Sequence, residues 1–63
     1  MANELKKLLR FEDKTFWVEF TPTSLRVDVV NPDGSTRPGT PADANLFELL
    51  RDGKVIGDSL PNN

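Results

Sequence analysis

The chain has 63 residues and a net charge of −2, and it contains neither cysteine nor histidine. This length predicts one domain of 1–63 with a small core, and the composition excludes disulfides, cysteine nucleophiles, histidine bases and the zinc sites built from those residues. The four glycines match no phosphate-binding loop, so no cofactor or metal is expected. No signal peptide and no apolar run of roughly 20 residues is visible, which predicts a soluble, cytoplasmic protein.

The first segment favours a helix over residues 4–11. Asn3 suits the N-cap position. Three leucines share the i, i+3, i+4 spacing of a helical stripe: Leu5, Leu8 and Leu9. An alternative makes 8–11 a strand that turns through 12–14 into the next element. The helix is favoured because that turn lacks the Gly or Asn that usually takes the left-handed position.

Residues 15–30 carry the clearest pattern of the chain, two strands with strict alternation. Every second residue of each strand is apolar: Phe16, Val18 and Phe20, then Leu25, Val27 and Val29. Pro22 suits the turn between them, and a four-residue loop at 21–24 gives each apolar residue an apolar partner across the ladder. The pattern therefore predicts a β-hairpin with one apolar face.

The hairpin is followed by an expected exposed loop at 31–39. Residues 31–34 read Asn, Pro, Asp, Gly, with proline second and glycine fourth, which is typical of a type I turn. Residues 35–40 have no apolar member and include Pro38, so they make a poor strand.

A second helix is predicted over residues 41–52. Thr40 can cap it, Asp43 occupies the third position as in a capping box, and Gly53 suits a left-handed C-terminal stop. Four apolar residues fall within one short stretch of it: Leu46, Phe47, Leu49 and Leu50.

The stretch 46–58 has a second interpretation, because the Asp-Gly pair at 52–53 is also a favoured hairpin turn. The apolar residues before it do not alternate, so a helix followed by a strand is favoured. Residues 54–58 then form a short third strand that Gly57 weakens or bulges. Residues 59–63 are expected as a flexible tail.

These elements predict an α+β domain with the order α-β-β-α-β. Its sheet would be three-stranded and mainly antiparallel, with one or two helices packed on it. A helical crossover between the second and third strands would make those two parallel, and it would leave the first hairpin strand central.

Candidate partner contacts lie on the polar face of the hairpin and in the loop after it. They are Trp17, Glu19, Arg26, Asp28 and Arg37. An aromatic ringed by polar groups is typical of an interface hot spot, and a guanidinium on a loop can bind a carboxylate or phosphate of a partner. The alternatives are equally concrete. In them, the first helix covers Trp17. Glu19 and Arg26 form a simple surface pair with each other, and Arg37 is solvated.

The size, the lack of cysteine and histidine, and the expected strand, strand, helix, strand core are similar to those of small phage-encoded proteins that bind and inhibit host enzymes such as RNA polymerase. A short run also resembles a piece of a phage head-to-tail joining protein: Val18, Glu19, Phe20 and Thr21, with Thr23 and Ser24. No functional residue is carried over from either resemblance.

The sequence therefore predicts a non-enzymatic protein–protein interaction module, such as a phage or bacterial accessory or inhibitor protein. It would bind a larger host protein through the hairpin face and the 31–39 loop. The alternative is a structural subunit that associates with its own copies in a homo-oligomer or virion-like assembly. Nucleic-acid binding or mimicry is a distant alternative, because neither half of the chain has the charge density of a nucleic-acid binder.

Overall fold

The computed structural model describes residues 4–60, and its strands form one antiparallel sheet. The elements are β1 (Leu5–Phe11), β2 (Lys14–Thr21), β3 (Ser24–Val30), β4 (Thr36–Pro38), α1 (Leu46–Asp52) and β5 (Lys54–Gly57). Their order across the sheet is β4-β3-β2-β1-β5. The chain thus builds a four-stranded meander, and α1 carries it back across the sheet to add β5 beside β1.

The predicted hairpin is confirmed, with β2 and β3 paired in the expected register. Phe16 lies opposite Val29, and Phe20 lies opposite Leu25. The loop is shorter than expected, because Thr21 itself pairs with Ser24 and leaves two residues at the tip. The Thr21 hydroxyl oxygen accepts a hydrogen bond from the Ser24 backbone N–H at 3.0 Å, which closes the turn.

The predicted first helix is wrong, since residues 5–11 form β1 and the alternative strand is the one observed. β1 pairs with β2 along seven residue pairs. The intervening turn contains no glycine, but Glu12 itself takes the left-handed conformation, with φ of 58°. A long ladder of backbone hydrogen bonds and apolar pairs outweighs both the local helix propensity and the cost of that turn. The expected N-cap, Asn3, lies outside the described residues.

The predicted loop 31–39 contains both the expected turn and an unexpected strand. The Gly34 N–H donates to the Asn31 carbonyl oxygen at 2.9 Å, and Gly34 has φ of 90°. The interpretation of 35–40 as a poor strand is wrong, because β4 pairs with the end of β3. Pro38 is compatible with β4 because an edge strand does not need both sets of ladder hydrogen bonds.

The second helix is shorter than predicted, because α1 begins only after Asn45. The Asn45 side-chain oxygen caps it by accepting from the Phe47 N–H at 2.9 Å. Thr40 and Asp43 form the contact expected of a capping box, with the Thr40 N–H donating to the Asp43 carboxylate at 2.9 Å, but the turn they close does not continue into α1. Because Leu46–Asp52 is helical, the alternative hairpin over 46–58 is wrong.

The left-handed stop expected at Gly53 is also wrong, because Gly53 is extended, with φ of −65°. A β-carbon at this position would overlap the carbonyl oxygen of Leu49. The position therefore requires glycine for close approach of the backbone and not for its φ.

β5 confirms the predicted third strand, but its partner and direction differ from expectation. It pairs antiparallel with β1, and it also runs opposite to β3 because β4 adds one more reversal of the chain. The irregularity expected around Gly57 is confirmed as a bulge, since Leu8 pairs with Gly57 while Leu9 pairs with Val55, which leaves Ile56 as the extra residue. The first hairpin strand, β2, is central as expected. Residues 61–63 of the expected tail lie outside the described residues.

The core lies between α1 and one side of the sheet, here called the helix face. It consists of Leu9, Phe16, Val18, Val29 and Leu49. Phe16 and Leu49 are each 1% exposed, so the middle of β2 and one residue of α1 form its centre. The opposite side of the sheet is here called the open face.

Candidate functional site

Trp17 lies on the open face and is nevertheless buried. It is 6% exposed, and it stands in one row across the sheet between Leu8 of β1 and Asp28 of β3. Its indole N–H donates to the Glu19 carboxylate at 2.7 Å. Trp17 is therefore a buried residue of the open face, outside the helix-face core, and its neighbours in the row are residues of the sheet and not of a first helix.

Glu19 and Arg26 lie opposite each other as predicted, yet each side chain has a different partner. The Arg26 guanidinium lies 3.0 Å from the carboxylate of Asp28, which is 4% exposed, while Glu19 accepts from Trp17. The expected surface pair is thus replaced by two contacts along the strands. The first contact places the Arg26 guanidinium beside the buried Asp28, and the second places the Glu19 carboxylate beside the buried Trp17.

Arg37 lies in β4, and its guanidinium is engaged by Asp43. It donates to both carboxylate oxygens, at 3.0 and 2.7 Å, in the bidentate geometry that gives strong ion pairs. Thr40 donates to the same carboxylate through its N–H and its hydroxyl, and Lys14 lies 3.5 Å from it. These contacts, the Arg37 hydrogen bonds first, hold the pKa of Asp43 far below its usual value. Arg37 is therefore part of an internal clamp that joins β4, the turn after it and the β1–β2 hairpin.

The structure brings four of the five predicted contact residues together and separates the fifth. Trp17, Glu19, Arg26 and Asp28 share the open face. Arg37 pairs with Val29, so it belongs to the helix face. A role for these five residues in binding a partner stays a prediction, but they do not form one site.

A second surface, on the helix face, was not identified by sequence reasoning. It combines two sets of exposed apolar side chains: Leu5, Phe20 and Leu25 from the sheet, and Leu46, Phe47 and Leu50 from α1. The three sheet residues form one row across β1, β2 and β3, because Leu5 pairs with Phe20 and Phe20 with Leu25. These six residues are called the apolar surface below.

A groove of about 390 Å³ joins the two parts of the apolar surface. Phe16 and Leu49 line it from the core, Leu25 and Val27 from β3, and Leu46 and Phe47 from α1, with 39–41 and 44–45 along the remaining side. No charged side chain lines it. Phe47 stands at this groove with 83% of its surface exposed.

The apolar surface exists because α1 is too short to cover the sheet. Seven residues of helix span only about 10 Å, and α1 buries Leu49 completely while Leu46 and Leu50 stay half exposed. A signal was present in the sequence, since four apolar residues within five positions exceed what one helical stripe can bury.

Within residues 4–60, no group of acidic side chains is arranged to hold a metal ion. In the same range, no helix has the length and apolar character needed to cross a membrane. Comparison with protein-family models, curated proteins and solved structures finds no significant match for this chain. The geometry of the chain itself therefore carries the functional argument.

Proposed function

We propose that this chain is a non-enzymatic protein-interaction module, and that it binds another polypeptide through the apolar surface on its helix face. One observation carries the proposal: six large apolar side chains are exposed, and a row of three on the sheet meets α1 at a groove lined by Leu25, Leu46 and Phe47. The exposed fractions of the six amount to about three complete residues, which is at most roughly 500–800 Å² on the 150–250 Å² that an aromatic side chain offers. The largest apolar patch of a typical monomer measures about 300–600 Å², and patches of that size or larger often mark interaction sites.

The character of the surface favours a polypeptide over a charged ligand. The groove has no charged lining, so it offers nothing to a phosphate or a carboxylate. Two aromatic residues, Phe20 and Phe47, are available as anchors, and aromatic anchors beside apolar pockets dominate the energetics of protein interfaces.

The hairpin face supports binding less well. Trp17 and Asp28 are buried, so their side chains have little surface left for a partner. Arg37 already donates to Asp43, and releasing it would break the clamp. A larger host protein remains a candidate partner, and we propose that it would bind at the helix face.

The proposal is tested with Phe47→Ser and a matched control, Val55→Ser, which removes an exposed apolar side chain of β5 that lies opposite Leu9 on the helix face but outside the groove. The tagged parent and the two tagged variants are used in pull-down experiments. The polypeptides that each one retains are compared, untagged copies of this chain included. We expect the parent and Val55→Ser to retain the same partner and Phe47→Ser to lose it, with equal melting temperatures for the dilute proteins. Retention that does not depend on Phe47, or equal loss in both variants, would contradict the proposal.

A further inference from the structure

We infer that the polypeptide bound at the apolar surface is a second copy of this chain, with Phe47 of each copy inserted into the groove of the other. The inference rests on the proposed function of that surface and specifies its partner. It describes a dimer with two-fold symmetry, in which each copy uses the same residues.

The apolar surface is complementary to itself. The chain carries an almost fully exposed aromatic side chain, Phe47, directly at an uncharged groove lined by Leu25 and Val27. In a two-fold arrangement, each copy provides one projecting ring and receives one. A groove of about 390 Å³ has room for a ring, since pockets of roughly 300–1,000 Å³ hold whole small ligands.

The area of the apolar surface suits a dimer interface. It offers at most roughly 500–800 Å² per copy on the 150–250 Å² of an aromatic side chain. A standard stable interface buries about 800 Å² per partner, and part of that is a polar rim. The exposed apolar area is therefore close to what a stable dimer needs.

The sheet edges, by contrast, are poorly suited to pairing with another copy. β4 has three residues and ends at Pro38, which lacks a backbone donor. β5 has four residues, an irregular register opposite Leu8 and Leu9, and a lysine at its start. Short edges, proline, bulges and lysine are the features that oppose edge-to-edge association.

The small size of the domain also favours self-association. A chain of 63 residues buries few apolar side chains, and domains of this size commonly gain stability from oligomerisation. Burial of Phe47, Leu46 and Leu50 against a second copy would enlarge that core.

The experiment is sedimentation equilibrium of the untagged protein over a wide concentration range, with Phe47→Ser and Val55→Ser run beside it. We expect a monomer–dimer equilibrium for the parent, with Kd raised by roughly 100-fold or more in Phe47→Ser because two copies of an anchor are lost. Val55→Ser should leave Kd within a few-fold of the parent. Circular dichroism of the diluted proteins checks that Phe47→Ser is folded, as the exposure of that side chain predicts.

Three results would overturn the inference, and they bear differently on the proposed function. A parent that stays monomeric but retains a different protein through Phe47 would remove the second copy as partner and leave the proposed function standing. A dimer that survives Phe47→Ser and is lost in Val55→Ser would place self-association at β5. A parent that is monomeric and shows no Phe47-dependent binding of any kind would contradict both the inference and the proposed function.

Discussion

Asp43 joins three parts of the chain through one carboxylate. It accepts hydrogen bonds from Arg37 and Thr40 and lies near Lys14, and its side chain is only 8% exposed. Such a group connects segments that the apolar core does not reach, because β4 and the turn after it are exposed over most of their length. The clamp is therefore expected to hold one edge of the sheet in place.

Replacing Asp43 by Asn should lower the melting temperature measurably, because the bidentate ion pair with Arg37 is lost. Asp58→Asn removes the same charge from an exposed position after β5 and serves as the control. We expect Asp58→Asn to melt within about a degree of the parent, as surface substitutions do. Equal melting temperatures for all three proteins would show that the clamp contributes no stability.

The clamp also predicts a dependence of stability on pH. The pKa of Asp43 is lowered in the folded protein by Arg37 and Thr40, so folding favours the charged carboxylate. This contribution is complete above the ordinary pKa of 3.8 and is lost as the pH falls through and below that value. The melting temperatures of the parent and Asp43→Asn should therefore converge below about pH 4. A constant difference from pH 7 to pH 2 would contradict this.

Trp17 should behave as a core residue. Trp17→Ala leaves a large cavity on the open face, at a cost of about 3–5 kcal/mol, which is enough to unfold a domain of this size. Trp17→Phe keeps an apolar ring and loses the hydrogen bond to Glu19, at about 1–2 kcal/mol. Trp17 is the single tryptophan of the chain, so both variants lack tryptophan fluorescence and their unfolding in urea is followed by far-UV circular dichroism, with the parent measured by the same signal. A folded Trp17→Ala protein would show that the residue is dispensable for the core.

The individual elements depend on a few backbone positions. Glu12 allows β1 to turn into β2 in a conformation that a side chain rarely takes. Gly53 allows α1 to pass into β5 with no intervening loop, because its N–H donates to the Leu49 carbonyl oxygen at 2.8 Å in a space too small for a side chain. These two positions determine where β1 and α1 end.

Gly53→Ala should destabilise the protein by about 1–3 kcal/mol, the usual cost of overpacking, because its β-carbon meets the Leu49 backbone. Gly57→Ala is the matched control, since a β-carbon there lies 3.5 Å from the Leu8 side chain, an ordinary contact. Urea unfolding of the two variants measures the difference. The explanation based on close approach would fail if Gly53→Ala were as stable as Gly57→Ala.

At the scale of the whole molecule, the two faces of the sheet differ in how completely their side chains are buried. The central row of the open face is buried, whereas the helix face is covered by α1 over only part of its width and carries the apolar surface. This asymmetry leaves the largest exposed apolar residues on one side. It is the reason that association is expected there.

If the helix face binds a second copy, the melting temperature must depend on protein concentration. Dimer formation stabilises the folded chain by mass action, so a tenfold increase should raise the melting temperature of the parent by about 3–6 °C for a domain of this size. Phe47→Ser should show no such increase, and Val55→Ser should follow the parent. A melting temperature of the parent that does not change with protein concentration would contradict dimerisation in the measured concentration range.

Much of the central sheet could be predicted from the sequence, while the candidate site could not. The register of β2 and β3 follows from alternation, because a slip of one residue would expose every apolar side chain. The spacing of Leu5, Leu8 and Leu9 fits a helix, yet it also fits a strand with Leu5 and Leu9 on one face and Leu8 on the other. Pairing with β2 decided between them, and that contact is not visible in the local pattern.

By itself, the sequence determined the β2–β3 hairpin, the turn at 31–34, the presence of a helix before β5 and the bulge at Gly57. Each of these depends on residues close together in the chain. Only the tertiary structure decided that residues 5–11 are a strand, that Trp17 is buried, that Arg37 pairs with Asp43 and that the apolar surface stays exposed. Those features depend on which distant segments meet and how much of the sheet a seven-residue helix can cover, and neither is encoded in local periodicity.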